Sequence, residues 1–284
     1  MSTSDPTQVP VRDAATVMLV RDGASGLEVF MLRRNPKSIF VGGAFVFPGG
    51  AVDDADRYDP DLETVVTGLS DEMASARLGI ETGGLAFWVA AIRECFEEAG
   101  LLLANNGTNQ TLRLEEPNMV SKFSQYRLAV DSGATRLVDV CKAEELSLAC
   151  DEIHYFSHWI TPVGPPRRFD TRFFVARAPE GQIGTHDEYE TVASLWIQPQ
   201  DALDRAEAGE LEMIQPTVRN LEAVARFDSA DELMSAAAAM GSIPAILPRL
   251  VQEDGGVRIL LPGDRGYSDA ETPDETPLQS GVGK

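Results

Sequence analysis

The segment Arg93-Glu94-Cys95-Phe96-Glu97-Glu98-Ala99-Gly100-Leu101 lies in a stretch with the apolar periodicity of a helix. At about 100° per residue, Glu94, Glu97 and Glu98 fall on one narrow face of that helix. Carboxylates at this spacing repel each other, so the arrangement indicates that a positive group sits between them. A hard divalent cation such as Mg²⁺ binds oxygen ligands of this kind. The alternative is a solvated acidic helix face, which needs no ligand.

The opposite face of this helix carries an apolar stripe, which predicts burial against a core. The stripe consists of Phe87, Val89, Ala91, Ile92, Cys95, Phe96, Ala99, Leu102 and Leu103. Gly100 lies near the end of this stripe, where a glycine indicates a helix end or a point of close packing.

Upstream, the apolar run Phe45-Val46-Phe47 leads into Pro48-Gly49-Gly50, where the glycines allow backbone groups to approach a ligand or metal closely. Together with the helix, this resembles the Nudix signature, whose second half reads Arg-Glu-aliphatic-any-Glu-Glu-any-Gly-aliphatic. That half is complete here. In the first half, Asp56 stands where the family has glutamate, and residues 57–92 form a spacer far longer than the usual seven residues.

A long insertion inside the signature is typical of the motif-19 branch of Nudix hydrolases, which is known for coenzyme A diphosphatases. Further stretches resemble that branch, namely Arg33-Arg34, Trp159 to Pro162, Arg168 to Phe174 and Leu195 to Ile197. The resemblance implies an α/β protein with the Nudix fold. That fold is an α/β/α sandwich with a mixed sheet, here extended by a helical insertion and a C-terminal extension.

The resemblance also implies how the site works. Glu94, Glu97 and Glu98, with a backbone carbonyl of Gly49 or Gly50, would hold one to three Mg²⁺ or Mn²⁺ ions. Arg93 would orient a glutamate through a salt bridge within the signature. The bound metal would lower the pKa of a water, and a carboxylate would take the proton of that water before in-line attack at phosphorus.

The acidic loop from His186 to Glu190 precedes a predicted strand, so its carboxylates are expected to project at the end of the sheet. Many Nudix enzymes recruit an additional glutamate from such a loop as a general base or metal ligand. Glu190 is the first candidate here and Glu188 the second. The alternative for either residue is a solvated acidic loop.

Four residues are predicted to bind substrate, namely Arg34, Phe47, Arg168 and Arg172. Arg34 and Phe47 lie in stretches that resemble the family. Strand alternation places Arg168, Asp170 and Arg172 on one face, where the two arginines could clamp phosphate oxygens, with Arg167 beside them. The alternative is cross-strand salt bridging of these arginines with Asp170.

Coenzyme A or an acyl-coenzyme A is the predicted substrate, giving 3′,5′-ADP and 4′-phosphopantetheine or its acyl form. NADH, ADP-ribose or a dinucleoside polyphosphate is the alternative within the same chemistry. A different class also stays open, namely a non-catalytic Nudix domain that senses a nucleotide. A sensor would bind nucleotide without metal-dependent turnover.

Cys150, His154 and His158 form a second candidate metal site. Spaced by four residues, they would converge on a zinc ion if they shared one helix. The following Trp159-Ile160-Thr161-Pro162 favours a strand, which would splay them apart. The alternative is a pair of ordinary, partly buried histidines.

Composition restricts the partners. The 284 residues carry 24 Lys and Arg against 45 Asp and Glu, a net charge of −21, which disfavours nucleic acid and anionic membranes. A small nucleotide-type substrate is also negatively charged, so metal ions and local arginines must make the electrostatic potential at the site positive. Three cysteines give no disulfide framework and no stretch is long enough to span a membrane, so a cytoplasmic protein is predicted. Many Nudix enzymes form dimers, so a homodimer is left open.

The chain is predicted to divide into a flexible N-terminus (1–12), a Nudix domain (13–228), a C-terminal extension packed on that domain (229–267) and a disordered tail (268–284). The insertion (57–86) is expected to form one or two short helices that cap the site. Alternation and turn residues predict strands at 14–21, 27–34, 156–161, 169–178, 192–197 and 257–261. Helical spacing predicts helices at 118–130, 138–149, 199–208, 216–227 and 231–240.

Overall fold

The computed structural model describes residues 9–38, 41–253 and 256–268. Its strands are β1 (Val11–Gly23), β2 (Gly26–Arg34), β3 (Phe45–Val46), β4 (Gly49–Ala51), β5 (Ala104–Asn105), β6 (Ser147–Leu148), β7 (Ile153–Ile160), β8 (Arg168–Arg177), β9 (Thr191–Ile197), β10 (Ala245–Ile246), β11 (Arg249–Glu253) and β12 (Gly256–Leu260). Its helices are α1 (Asp54–Tyr58), α2 (Asp71–Leu78), α3 (Leu85–Ala99), α4 (Pro117–Asp131), α5 (Leu137–Ala143), α6 (Pro199–Glu207), α7 (Gln215–Val224) and α8 (Ala230–Ala238).

An eight-stranded mixed sheet forms the centre of the molecule, in the order β10-β7-β8-β1-β2-β3. β4 pairs with β1, and β9 pairs with β2. The central pair, β1 and β8, is parallel from Val11↔Arg168 to Val20↔Arg177. β1 and β2 form the predicted antiparallel hairpin. The short β4 lies beside β1 at Ala14–Thr16 and carries the glycines of the Pro-Gly-Gly turn to the edge of the site.

Helices cover both faces of this sheet. α3 packs on one face, where Trp88, Ile92 and Phe96 are buried against Val17 and Phe174. On the other face, the buried residues of α6, α7 and α8 pack against the alternate residues of β1 and β2, among them Met18, Val29 and Met31. This alternation confirms the predicted three-layer α/β sandwich with a mixed sheet.

The insertion contains the end of α1, a 3-10 turn at Leu62–Val65 and α2, which confirms its predicted helical character. α2 is bounded by local signals: the Ser70 hydroxyl accepts from the Met73 N–H at 3.2 Å, and Gly79 ends the helix at a φ of 69°. α2 packs on the start of α3, while Asp59 and Leu62 reach the cavity described below.

The prediction of a helix at 138–149 is wrong in its second half. α5 ends at Ala143, and Glu145 adopts a φ of 54°, a left-handed conformation that a helix cannot continue through. Ser147–Leu148 then pairs with β5 as β6. Short-range apolar spacing did not reveal this pairing, because β5 lies about forty residues earlier in the chain.

The predicted ends of the chain lie partly outside the described residues. β1 begins at Val11, inside the stretch predicted to be flexible, while residues 1–8 are not described. Of the predicted disordered tail, only residue 268 is described. The C-terminal extension contributes α8, which packs on β7 and β8, then β10 and the β11–β12 hairpin. Within the described part of the chain, no helix combines the length and the apolar run that crossing a membrane requires.

Candidate active site

The three glutamates project from the last turns of α3 towards the glycines of β4. The Gly49 N–H donates to Glu98 Oε2 at 3.0 Å. A Cβ at Gly50 would collide with the Glu94 carboxylate, and one at Gly49 would collide with the backbone of β1. Glycine is therefore required at both positions by close packing within the protein, a reason additional to the close approach of a ligand or metal that the sequence analysis predicted. Glu98 is 5% exposed, so its carboxylate is nearly withdrawn from solvent.

Arg93 is the positive group that lies among these carboxylates. Its guanidinium donates to Glu94 Oε1 at 2.9 Å and to Glu97 Oε2 at 2.8 Å. The other edge of the guanidinium donates to both Asp56 oxygens, from 2.9 to 3.3 Å, and to the Ala51 carbonyl at 2.8 Å. Asp56, which stands where the family has glutamate, is 3% exposed. It binds the edge of the Arg93 guanidinium that does not contact the glutamates.

Burial makes the charged forms of these glutamates costly. Desolvation raises the pKa of Glu94 to about 7 and that of Glu97 to about 8, although the charge of Arg93 opposes both shifts. Burial and the charge of Glu94 raise the pKa of Glu98 well above its usual range, against the opposing Gly49 N–H and Arg34. Burial alone would lower the pKa of Arg93, but Asp56 and the two glutamates raise it, so the guanidinium stays charged.

These shifts predict how stability depends on pH without metal. Between the ordinary glutamate value of 4.5 and about 8, the folded protein holds protons at Glu94 and Glu97 that the unfolded chain has released. Stability therefore falls as pH rises through this window. We expect the Tm in EDTA to fall from pH 5.5 to pH 8.5, and the rise in Tm on adding Mg²⁺ to be larger at pH 8.5. In a Glu94→Gln/Glu97→Gln variant the slope of Tm against pH should flatten, and an unchanged slope would contradict the assignment.

The glutamates lie on a cavity of about 1010 Å³, at the upper end of the usual size for a ligand pocket. One part of its wall comes from the insertion and the α4–α5 region, including Leu62, Val130 and Leu137. Another part is the face of β1 and β8 opposite α3, where lining residues alternate along both strands. These residues are Arg12, Ala14 and Thr16 on β1, and Phe169, Thr171 and Phe173 on β8. The start of α7 and the β12 residue Ile259 also line the cavity.

The acidic loop before β9 reaches this cavity through Glu190 and Asp187. The charge of Glu190 contributes to raising the pKa of both Glu94 and Glu98. Asp187 Oδ1 accepts the backbone N–H groups of Tyr189, Glu190 and Thr191 at 2.5, 2.7 and 3.2 Å, and so fixes the loop. Glu188 is exposed at a φ of 72° and does not line the cavity.

Arg127 of α4 connects the loop before β9 to α3 through hydrogen bonds, a role that the sequence analysis missed. Its guanidinium donates to the Glu97 and Glu98 carbonyls, each at 2.8 Å, and to the Thr185 carbonyl at 3.0 Å. It thereby satisfies carbonyls at the C-terminal end of α3 that lack a partner within the helix. A lone arginine on an otherwise unremarkable helix gives no sequence signal of this tertiary contact.

We expect Arg127→Met to lower kcat about tenfold while changing KM less, because the variant frees the loop that carries Glu190 from α3. Steady-state kinetics with a metal-saturated enzyme measure this split. Arg113→Met is the matched control, because it removes an exposed arginine whose ion pairs among the described residues are with Glu115 and Glu180. A loss confined to KM would instead assign Arg127 to substrate binding.

The predicted substrate-binding residues have separate outcomes. Arg34 and Phe47 line the cavity, and the Arg34 Nε is buried without a hydrogen-bond partner among the described residues. Arg172 does not line it: its guanidinium lies within hydrogen-bonding distance of Asp170 and His158 and stacks over Phe87 at 5.3 Å, on the α3 side. Arg168 donates to the Thr161 carbonyl at 3.1 Å and does not line the cavity either.

The clamp predicted from Arg168 and Arg172 is therefore wrong for a physical reason. The face of β8 that carries these two residues turns towards α3, where Arg172 pairs with Asp170, so the alternative interpretation holds for Arg172. Arg167, the third arginine of that run, lines the cavity instead.

The donor set at the end of α3 fits a hard divalent cation. Three carboxylates, those of Asp56, Glu94 and Glu97, lie around the Arg93 guanidinium, Glu98 accepts the Gly49 N–H, and all four offer oxygen ligands. As placed, no three His, Cys, Asp or Glu side chains in the described segments converge to enclose an ion. One nitrogen of Arg93 binds both Glu94 and Glu97, so a cation would have to compete with Arg93 for these carboxylates. The zinc candidate fails the same test, with His154 and His158 on β7 and Cys150 in a 3-10 turn before it.

Comparison with known proteins gives consistent matches. A family model described as the NUDT19 Nudix domain matches residues 11–224. The acyl-coenzyme A diphosphatase NUDT19 of Homo sapiens is 27% identical over 274 residues, covering 86% of this chain and 73% of the human protein. The Gallus gallus protein of that name is 29% identical, covering 93% and 81%. A crystal structure of a NUDIX hydrolase from Alicyclobacillus acidocaldarius is similar in fold, with a TM-score of 0.67, 27% identity, and coverage of 84% and 99%.

Proposed function

Because the chain belongs to the NUDT19 Nudix domain family, we propose that it hydrolyses the pyrophosphate bond of coenzyme A or an acyl-coenzyme A. The products would be 3′,5′-ADP and 4′-phosphopantetheine or its acyl form. The observation that carries this proposal is the cluster of Glu94, Glu97 and Glu98, which lines a cavity of about 1010 Å³. In this cluster Glu94 packs against Gly50 and Glu98 accepts the Gly49 N–H. The names of the vertebrate relatives support the choice of substrate.

Glu94, Glu97 and Glu98, with the Gly49 carbonyl, would hold Mg²⁺ or Mn²⁺. When bound, such an ion neutralises charge on the phosphate oxygens and acidifies a water molecule. Arg93 restricts the positions of Glu94 and Glu97 through its two hydrogen bonds, and the Gly49 N–H restricts Glu98. Holding reactive groups in place in this way lowers the entropic part of the barrier.

Glu190 is our proposed general base. Glu190 lines the cavity, and its backbone N–H donates to Asp187 Oδ1 at 2.7 Å, which supports a defined position for this residue. A carboxylate oxygen of Glu190 would accept the proton of the attacking water. Arg34, whose Nε lacks a hydrogen-bond partner in the described segments, would bind a phosphate oxygen, and Phe47 would contact the substrate from the cavity wall.

The test is product analysis by mass spectrometry on coenzyme A, acetyl-coenzyme A, NADH, ADP-ribose and diadenosine polyphosphates, with Mg²⁺ or Mn²⁺. We expect 3′,5′-ADP from coenzyme A, lost in Glu97→Gln and kept in Glu72→Gln, which neutralises an exposed glutamate of α2. Turnover of another substrate alone would overturn the coenzyme A assignment. Nucleotide binding with no metal-dependent turnover of any substrate would identify a sensor.

We also propose that the protein works in the cytoplasm. Its three cysteines are free and buried, which suits a reducing compartment. The homodimer stays a prediction.

A further inference from the structure

Five arginines line the catalytic cavity within the described ranges: Arg12, Arg34, Arg93, Arg136 and Arg167. Three of them have carboxylates nearby. Arg93 contacts the glutamates, Arg34 acts on Glu98 electrostatically, and Arg136 forms ion pairs with Asp59 and Asp139 at 2.7 and 2.6 Å. Arg12 and Arg167 are different: both are exposed, and neither forms an ion pair or a side-chain hydrogen bond with another described residue.

The sheet brings these two arginines together. β1 and β8 are parallel neighbours, and Arg12 is paired with Phe169, two residues beyond Arg167. Because paired residues on neighbouring strands share a face, the alternation that turns Phe169 towards the cavity also turns Arg12 there. Two guanidinium groups thus meet at one end of the cavity, in a chain whose net charge is −21. A guanidinium binds phosphate oxygens through paired N–H donors, so this end of the cavity suits a phosphate group.

The pair lies at a definite separation from the glutamates. Gly50, which contacts the Glu94 carboxylate, is paired with Ala15 of β1. Arg12 lies three residues before Ala15, which corresponds to about 10 Å along an extended strand. Arg12 also faces the side of the sheet opposite α3, so an anion there is too far from the glutamates to be the scissile pyrophosphate. Arg12 and the glutamates line one cavity, so a single ligand can reach both. Between these two levels the cavity-facing side chains of β1 and β8 are those of Ala14 and Thr171, which are small and leave space for a sugar and a base.

We propose that Arg12 and Arg167 bind a phosphomonoester that the substrate carries on the far side of its ribose from the scissile pyrophosphate. This assignment rests on the proposed function and refines it. In coenzyme A the group is the 3′-phosphate, which NADH, ADP-ribose and dinucleoside polyphosphates lack. Arg12 and Arg167 then favour nucleotide pyrophosphates that carry this phosphate, although the phosphate itself takes no part in the reaction.

The test compares coenzyme A with 3′-dephospho-coenzyme A in wild type, Arg12→Gln, Arg167→Gln and the double variant. A charge-assisted hydrogen bond contributes enough that we expect kcat/KM for coenzyme A to fall at least about tenfold in each single variant. The value for 3′-dephospho-coenzyme A should change less than about twofold. Arg226→Gln is the matched control, since Arg226 is exposed, unpaired among the described residues and absent from the cavity wall.

A second measurement is independent of catalysis. Adenosine 3′,5′-bisphosphate and 5′-AMP contain no pyrophosphate bond, so their binding can be followed by calorimetry with Mg²⁺ and without turnover. Wild type should prefer the bisphosphate, and the double variant should lose that preference. Equal losses for both nucleotides, or no loss for either, would overturn the assignment. If wild type fails to cleave coenzyme A yet prefers the bisphosphate, the proposed function fails while the phosphate site stands.

Discussion

Glu98→Gln is expected to abolish metal-dependent turnover and, at the same time, to stabilise the metal-free protein at pH 8. Turnover should fall by about 10³-fold or more, since a metal ligand contributes several kcal/mol to the transition state and each 1.36 kcal/mol is tenfold in rate. The glutamine can still accept the Gly49 N–H that Glu98 accepts at 3.0 Å. It cannot supply the negative charge that holds a divalent cation.

The gain in stability follows from burial. Glu98 is 5% exposed and its pKa is raised well above the usual range, mainly by desolvation, so the folded state opposes its ionisation. The unfolded chain carries this carboxylate ionised at pH 8, and the difference favours unfolding. A neutral amide of nearly the same shape removes that cost. The Tm of the variant in EDTA should therefore exceed that of wild type at pH 8, with the gap closing as pH falls.

Calorimetric melting in EDTA and in Mg²⁺ separates these effects from simple misfolding. Wild type should gain Tm on adding Mg²⁺, and Glu98→Gln should gain little or nothing. Glu72→Gln, on the exposed face of α2, should behave as wild type in both. If Glu98→Gln is less stable than wild type in EDTA at pH 8, the Glu98 carboxylate stabilises the fold by itself. That result would contradict the assignment of Glu98 as a metal ligand whose burial destabilises the metal-free protein.

The sequence predicted the elements whose cause is local. The amphipathic stripe of α3, its end at Gly100 and the need for glycine at positions 49 and 50 all follow from short-range patterns. The β1–β2 hairpin and the helix starting at Pro199 were predicted for the same reason. Their boundaries in the structure differ from the predicted ones by only a few residues.

What the sequence did not reveal depends on residues far apart in the chain. The link of Asp56 to Arg93 spans the whole insertion, and that of Arg127 to Thr185 joins α4 to the loop before β9. The face of β8 that meets the cavity is also set by tertiary packing, because alternation fixes which residues share a face but not which face is buried under α3. This is why Arg172 was predicted as a clamp and is found paired with Asp170.

Arg93→Met is expected to destabilise the metal-free protein by about 3–5 kcal/mol, the usual cost of leaving a buried charge without its partner. For a chain of this length, the Tm would fall by about 5–8 °C. Asp56 is 3% exposed and loses all three of its hydrogen bonds from Arg93, while Glu94 and Glu97 lose their shared donor. Since buried carboxylates can take up protons instead, the loss should be greater at pH 8 than at pH 6.

Two companion variants identify the cause of this loss. Arg93→Met/Asp56→Asn removes the buried charge on both sides and should recover part of the lost stability. Arg93→Lys keeps the positive charge, but a lysine ammonium is a point charge that cannot donate to Asp56, Glu94 and Glu97 at once. This variant should therefore be less stable than wild type although its charge is unchanged. No recovery in the Asp56→Asn double variant would place the cost in lost packing of the arginine stem.

Mg²⁺ distinguishes two roles for Arg93 that have opposite consequences. The Arg93 guanidinium binds oxygens of Glu94 and Glu97, the carboxylates that a cation would use. If Arg93 competes with the metal, Arg93→Met should gain more Tm from Mg²⁺ than wild type gains, because no guanidinium has to be displaced. If Arg93 mainly holds the glutamates in a metal-ready position, the variant should gain less. We expect the larger gain together with lower kcat, since tighter metal binding without fixed glutamates does not position the metal for catalysis.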